Sequence, residues 1–128
     1  MPVRVLIVDD QPPFRAVART VVEMTEGFEV AGEADSGEAA VQKALALEPD
    51  LVLMDINLPG IDGLEATRQI RANLQNTKPV VVLVLSTYEV GEYGAAATDA
   101  GAARFIPKSE FGPGPLLEAW HAGQTPAA

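Results

Sequence analysis

Cysteine is absent from this 128-residue chain. Its absence excludes disulfides and thiolate metal sites, and is compatible with a reducing compartment. Basic residues are few: 9 Lys and Arg face 18 Asp and Glu, a formal net charge of −9. That balance argues against nucleic-acid binding by this domain, because a phosphate backbone needs a basic surface. No apolar run approaches the roughly 20 residues of a membrane helix, so no membrane association is expected. The first residues enter a strand pattern directly, without the form of a signal peptide. A cytoplasmic location is the expectation. The single histidine, His121, stands near the end of the sequence and is given no ligand or base role. There is no internal repeat and no low-complexity segment.

What the chain does hold is apolar sequence in short runs. Hydrophobic residues make up 48% of it, and its length suits one domain with a full core. Four runs end on polar residues of particular kinds. Val3-Arg4-Val5-Leu6-Ile7-Val8 leads into Asp9 and Asp10, and Leu51-Val52-Leu53-Met54 into Asp55. Val80-Val81-Val82-Leu83-Val84-Leu85 leads into Ser86 and Thr87, and Arg104-Phe105-Ile106-Pro107 into Lys108. Unbroken runs of Val, Leu and Ile read as strands buried on both faces of a parallel sheet. A weaker fifth run, Phe28-Glu29-Val30-Ala31-Gly32, alternates and suits a sheet edge.

Between the runs lie helical patterns long enough for right-handed crossovers. The first follows Pro12-Pro13 and carries Phe14, Val17, Ala18, Val21 and Val22 as an apolar stripe. The second opens at Ser36 as N-cap, with Glu38 in its first turn, and ends before Pro49. The third opens at Asp62, with Glu65 three residues on in a pattern close to a capping box. The fourth is alanine-rich, over about residues 90–100, and stops at Gly101. The last starts near Pro115, offers Leu116, Leu117 and Trp120 to the core, and stops before Gly123, a short helix. Strand and helix alternate throughout, which predicts a doubly wound α/β domain. Residues 123–128 read as a flexible tail or the stub of a linker.

In a parallel sheet all the strand ends above emerge at one edge, where open α/β sheets bind ligands. Asp9, Asp10 and Asp55 then converge if the first and third runs are neighbours. Two bare carboxylates about 4 Å apart repel by roughly 4 kcal/mol at an effective dielectric near 20. Such a cluster takes up a proton or recruits a cation. With oxygen donors alone the cation is a hard divalent ion, Mg²⁺ before Ca²⁺. Lys108 adds a positive charge at the same edge, and Ser86 or Thr87 a hydroxyl. Together these groups suit the stabilisation of a phosphoryl group in transfer, with Asp55 as the candidate nucleophile. Taken singly, an Asp-Asp pair is most simply a capping loop, a Ser-Thr pair turn chemistry and a lysine a solvated side chain. The case rests on their conjunction at separate strand ends.

Those residues resemble the receiver domain of two-component response regulators over almost the whole chain, from Val3 to about Ala122. The carriers are Val5-Leu6-Ile7-Val8-Asp9-Asp10, the stretch Met54-Asp55-Ile56-Asn57-Leu58-Pro59-Gly60-Ile61-Asp62-Gly63, Leu85-Ser86-Thr87 and Phe105-Ile106-Pro107-Lys108. The resemblance implies a flavodoxin-like five-stranded sheet of order 2-1-3-4-5, with residues 1–122 as the receiver. It implies that Asp55 accepts a phosphoryl group. Mg²⁺ would be held by Asp10 directly, Asp9 through water, Asp55, and the backbone carbonyl of Asn57. Ser86 would turn its hydroxyl to the phosphoryl group, Lys108 would pair with its oxygens, and Phe105 would be the switch aromatic. Tyr88 falls near the path of attacking water, where a bulky ring would slow dephosphorylation.

Two features depart from the family's commonest pattern. Ser109 rather than proline follows Lys108, with proline placed before it at Pro107. A cis bond after the lysine is therefore not expected, since a non-proline cis peptide costs about 3–4 kcal/mol. Receivers of the LuxR/NarL type share this feature and are the nearest in cadence. The short last helix is the second departure, at a place where a dimer face would be built.

The implied function is that of a phosphorelay receiver. Its phosphodonor would be a sensor histidine kinase or phosphotransfer protein. Its reader would be a downstream output protein or a C-terminal output domain, with phosphorylation-dependent homodimerisation as a further state. It would not be an enzyme, beyond promoting its own aspartyl phosphorylation and dephosphorylation. The alternative is a receiver fold that binds proteins without being phosphorylated. An aspartyl phosphatase fits less well, because such enzymes place a second Asp where Asn57 stands.

Overall fold

Each apolar run forms a strand. The structure, a computed structural model, describes residues 2–74, 79–87 and 90–124, omitting the side chains of residues 90–94. The strands are β1 (Val3–Val8), β2 (Phe28–Ala34), β3 (Leu51–Asp55), β4 (Val81–Ser86) and β5 (Arg104–Pro107). All pair in parallel, in the order β2-β1-β3-β4-β5. This is the flavodoxin-like arrangement that the resemblance implies. The edge strand β2 runs two residues further than its alternating core suggests, and its pairing with β1 shifts register between Val5 and Leu6.

Helices fill the crossovers: α1 (Pro12–Met24), α2 (Gly37–Leu47), α3 (Gly63–Leu74), α4 (Val90–Ala100) and α5 (Pro113–Gln124). Their starts follow local chemistry. Ser36 caps α2 by accepting the Ala39 N–H at 3.1 Å. At α3, Asp62 Oδ1 accepts the Glu65 N–H at 2.8 Å. Glu65 does not complete a capping box, because its carboxylate turns to Arg68 and Gln69 instead. At the end of α4, Gly101 adopts φ 102°, a left-handed conformation that glycine accepts without steric cost.

The last helix differs from the sequence expectation. It begins at Pro113 and runs 12 residues, through Gly123 to Gln124. Prolines at 113 and 115 sit in the first turn, where N–H groups lack intrahelical partners and their loss costs nothing. Gly123 is a packing position and not a stop: a Cβ there would meet Val81 Cγ1 at 2.5 Å. Of the three apolar residues assigned to this helix, Leu116 is buried, Trp120 meets Phe28 edge-on, and Leu117 faces solvent.

Alternation along the strands divides the core in two. Leu6, Val8, Val52, Met54, Val82 and Val84 pack beneath α2, α3 and α4. Val5, Ile7, Leu51, Leu53, Leu83 and Leu85 pack beneath α1 and α5. Each fully buried Leu, Ile or Val contributes on the order of 1.5–3 kcal/mol, so the sheet is a rigid platform for whatever its edge carries. Among the described residues no helix is long and apolar enough to cross a membrane.

Candidate functional site

Register brings the strand ends level. Val8 pairs with Met54, Asp55 with Leu85, and Ser86 with Pro107. Asp9, Asp55, Ser86 and Lys108 therefore lie within about one residue of a common line at the carboxyl edge. One carboxylate oxygen from each of Asp9, Asp10 and Asp55 falls within 4.8 Å of the others. Asp9 and Asp55 are buried, whereas Asp10 is exposed to solvent.

Asp9 is held from several sides. Its Oδ1 accepts the Gln11 N–H at 2.8 Å, and its backbone carbonyl accepts Arg15 Nη1 at 2.7 Å. Arg15 in turn pairs with Glu33 at 3.4 Å. Lys108 reaches in from the end of β5, placing Nζ 2.7 Å from Asp9 Oδ2 and 3.4 Å from Asp55 Oδ2. Asp9 Oδ2 is buried, and the Lys108 ammonium is its charge partner. Asp55 Oδ1 accepts the Asn57 N–H at 3.4 Å, which sets the backbone after β3 beside the carboxylate.

The charges do not balance. Three carboxylates face one ammonium, and burial withholds water from two of them. The Asp55 carboxyl is pushed up to about 6, first by burial and then by the charge of Asp9. Lys108 and the Asn57 N–H pull the other way without cancelling that effect. Three converging carboxylates short of positive charge, one of them holding its proton beyond the ordinary range, and donors made only of oxygen fit a hard divalent cation. Among the described residues, Asp9, Asp10 and Asp55 form the acidic group able to hold one.

Ser86 is fully buried at the end of β4, and Thr87 beyond it is exposed. Phe105 lies opposite Val84 on β5, half-buried against the core beneath α2, α3 and α4. The peptide after Lys108 is trans, as expected for Lys-Ser, with no cis bond among the described residues. Tyr88 lies outside the described residues.

Some members of the site are not legible as such in the sequence. Phe14 reads there as one residue of the α1 core stripe, yet Lys108 Nζ lies 4.5 Å from its ring centroid. Phe111 meets the same ring at 6.2 Å between centroids. Arg15 carries no motif, and only the fold brings it to the Asp9 carbonyl. Gln11 acts through its backbone, which no residue type announces.

A parallel sheet with an acidic cluster and a paired lysine at its carboxyl edge defines a class, and the comparisons with known proteins agree with it. Residues 5–120 match the family model for the response regulator receiver domain, and the chain belongs to that family, the receivers of two-component signalling. It is 42% identical over 108 residues to a protein-glutamate methylesterase/protein-glutamine glutaminase of Alkalilimnicola ehrlichii, covering 84% of this chain and 27% of that protein. It is 39% identical over 106 residues to the response regulator GacA of Pseudomonas viridiflava, covering 83% and 48% respectively. The signal receiver domain of the putative response regulator NarL from Mycobacterium tuberculosis superposes with a TM-score of 0.84 at 30% identity, covering 94% of this chain and 97% of that one. The chain spans only a quarter to a half of the two curated relatives, so the activity named for the first belongs to a much longer protein.

Proposed function

We propose that this receiver accepts a phosphoryl group on Asp55 from a phosphohistidine of a sensor histidine kinase or phosphotransfer protein. The observation that carries the reading is the Lys108 ammonium set between Asp9 and Asp55, beside an acidic cluster short of positive charge. Asp9, Asp10 and Asp55, with the Asn57 backbone carbonyl, are the proposed ligands of Mg²⁺, which when bound supplies positive charge against the phosphoryl oxygens.

Asp55 attacks as a carboxylate, so no proton has to leave it above a pH of about 6. Its oxygen bonds to phosphorus as the P–N bond of the donor breaks, and the electron pair of that bond stays on the imidazole nitrogen. Lys108 then pairs with a phosphoryl oxygen. Ser86 turns its hydroxyl to donate to another, and the half-buried ring of Phe105 moves inward as the β4–α4 region follows. Phenylalanine offers no hydrogen bond there, so the inward state rests on packing. The added charge of about −1.5 to −2 is what biases the domain between two states.

A partner, whether a separate output protein, an attached output domain or a second copy of the chain, reads the changed face. The receiver unit is residues 1–122 together with Gly123 and Gln124, which complete α5, in a cytoplasmic setting. The domain turns over no external substrate and promotes only its own phosphorylation and hydrolysis. Incubation with acetyl phosphate and Mg²⁺ followed by intact mass tests the assignment. One phosphoryl adduct on the parent and none on Asp55→Asn is expected, and an adduct surviving in the variant refutes it. An unmodified parent would favour a phosphorylation-independent binding module.

A further inference from the structure

We propose that Phe14 is a positioning residue for Lys108, its ring face holding the ammonium at the acidic cluster. The inference rests on the phosphoryl-transfer reading above. Lys108 Nζ is 4.5 Å from the Phe14 ring centroid, 2.7 Å from Asp9 Oδ2 and 3.4 Å from Asp55 Oδ2. An ammonium within about 6 Å of an aromatic centroid is drawn to the negative face of the ring. Lysine carries its charge on a flexible four-carbon stem, so ion pairing alone leaves the head free to rotate about its partners. The ring supplies a third neighbour, and it stands where water would otherwise solvate the ammonium. The Lys108 side chain is only 9% exposed.

Phe14 is itself braced. It lies in the first turn of α1, started by two prolines, and its N–H donates to the Gln11 carbonyl at 3.1 Å. Its ring meets Phe111 at 6.2 Å with an interplanar angle of 46°. Phe111 closes the 3-10 turn that Lys108 opens, donating its N–H to the Lys108 carbonyl at 3.2 Å. One aromatic pair thus ties the helix after Asp9 and Asp10 to the turn that carries Lys108. The attraction is confined to the ring face but changes little as the ammonium shifts across it. Lys108 can leave Asp9 for a phosphoryl oxygen without leaving the ring, whereas a third carboxylate would hold it back.

Replacing Phe14 with mono-, di- and trifluorinated phenylalanine drains the ring face stepwise at almost constant shape, which separates charge attraction from packing. The readout is the rate of Asp55 phosphorylation by acetyl phosphate at saturating Mg²⁺. The expected result is a graded fall reaching about fivefold at the trifluoro ring, with Phe14→Leu at least as slow and Phe14→Trp close to the parent. In the metal-free protein, the Lys108 ε-methylene protons are expected upfield through the ring current, and back at ordinary positions in Phe14→Leu. A flat fluorination series, in a parent whose rate falls on Lys108→Ala, overturns the Phe14 proposal alone. Absence of the ring-current shift in the parent does the same. Absence of any adduct on the parent overturns the phosphoryl-transfer reading and this proposal with it.

Discussion

The ammonium of Lys108 lies closer to Asp9 than to Asp55, at 2.7 Å against 3.4 Å, and both carboxylates are buried. Its charge is therefore shared between two acids, which leaves Asp55 under-compensated. Removing the lysine should expose the whole cost of that cluster. In metal-free protein at pH 7.5, Lys108→Met is expected to lose about 3 kcal/mol of stability, because it strips the partner from buried carboxylates. Urea denaturation checks it. The loss should shrink at pH 5, where the Asp55 carboxyl takes up a proton.

Asp55 itself should weaken the metal-free fold at neutral pH. Its carboxyl titrates near 6 in the folded protein against 3.8 ordinarily, so between those values the folded state binds more protons than the unfolded one. Stability then falls as pH rises through that window and stays lower above it. A shift of about two units corresponds to roughly 3 kcal/mol as an upper bound. Asp55→Asn is expected to raise the thermal midpoint at pH 7.5 in chelator and to have almost no effect at pH 4. A stabilisation of equal size at both values would contradict the burial argument.

Gly63 packs directly on the peptide that follows Asp55. A Cβ at this position would lie 2.0 Å from the Asp55 carbonyl oxygen, a backbone atom that cannot step aside. Gly63→Ala is expected to cost about 2–3 kcal/mol, as overpacking against backbone does. It should also disturb the amide resonances of Asp55 to Asn57. Gly112→Ala, where nothing lies within 4 Å, is the control and should stay within about 0.5 kcal/mol of the parent.

Most of the fold was legible because buried parallel strands leave an unmistakable trace. Val81 to Leu85 is apolar on both sides, and only a doubly covered strand needs that. The polar residue closing each run marks the sheet edge, so Asp9, Asp55 and Lys108 could be brought together without coordinates. The last helix was harder. Gly123 and the two prolines weigh against a helix by local propensity, but tight packing on Val81 and an unpaired first turn reverse both penalties. Phe14 packs against the core beneath α1 as its stripe implies, but an i, i+3 stripe says only which face a side chain is on, and not whether a cation lies over its ring. The division of Lys108 between two acids is a matter of tenths of an ångström, which residue spacing does not encode.

The convergence of distant strand ends on one cation-binding mouth is tested most directly by titrating Mg²⁺ into ¹⁵N-labelled protein. The expected result is saturable shifts at residues 10, 55, 57, 86 and 108 that share one dissociation constant, abolished together by Asp10→Asn. Shifts confined to a single segment, or different constants at these positions, would contradict the account.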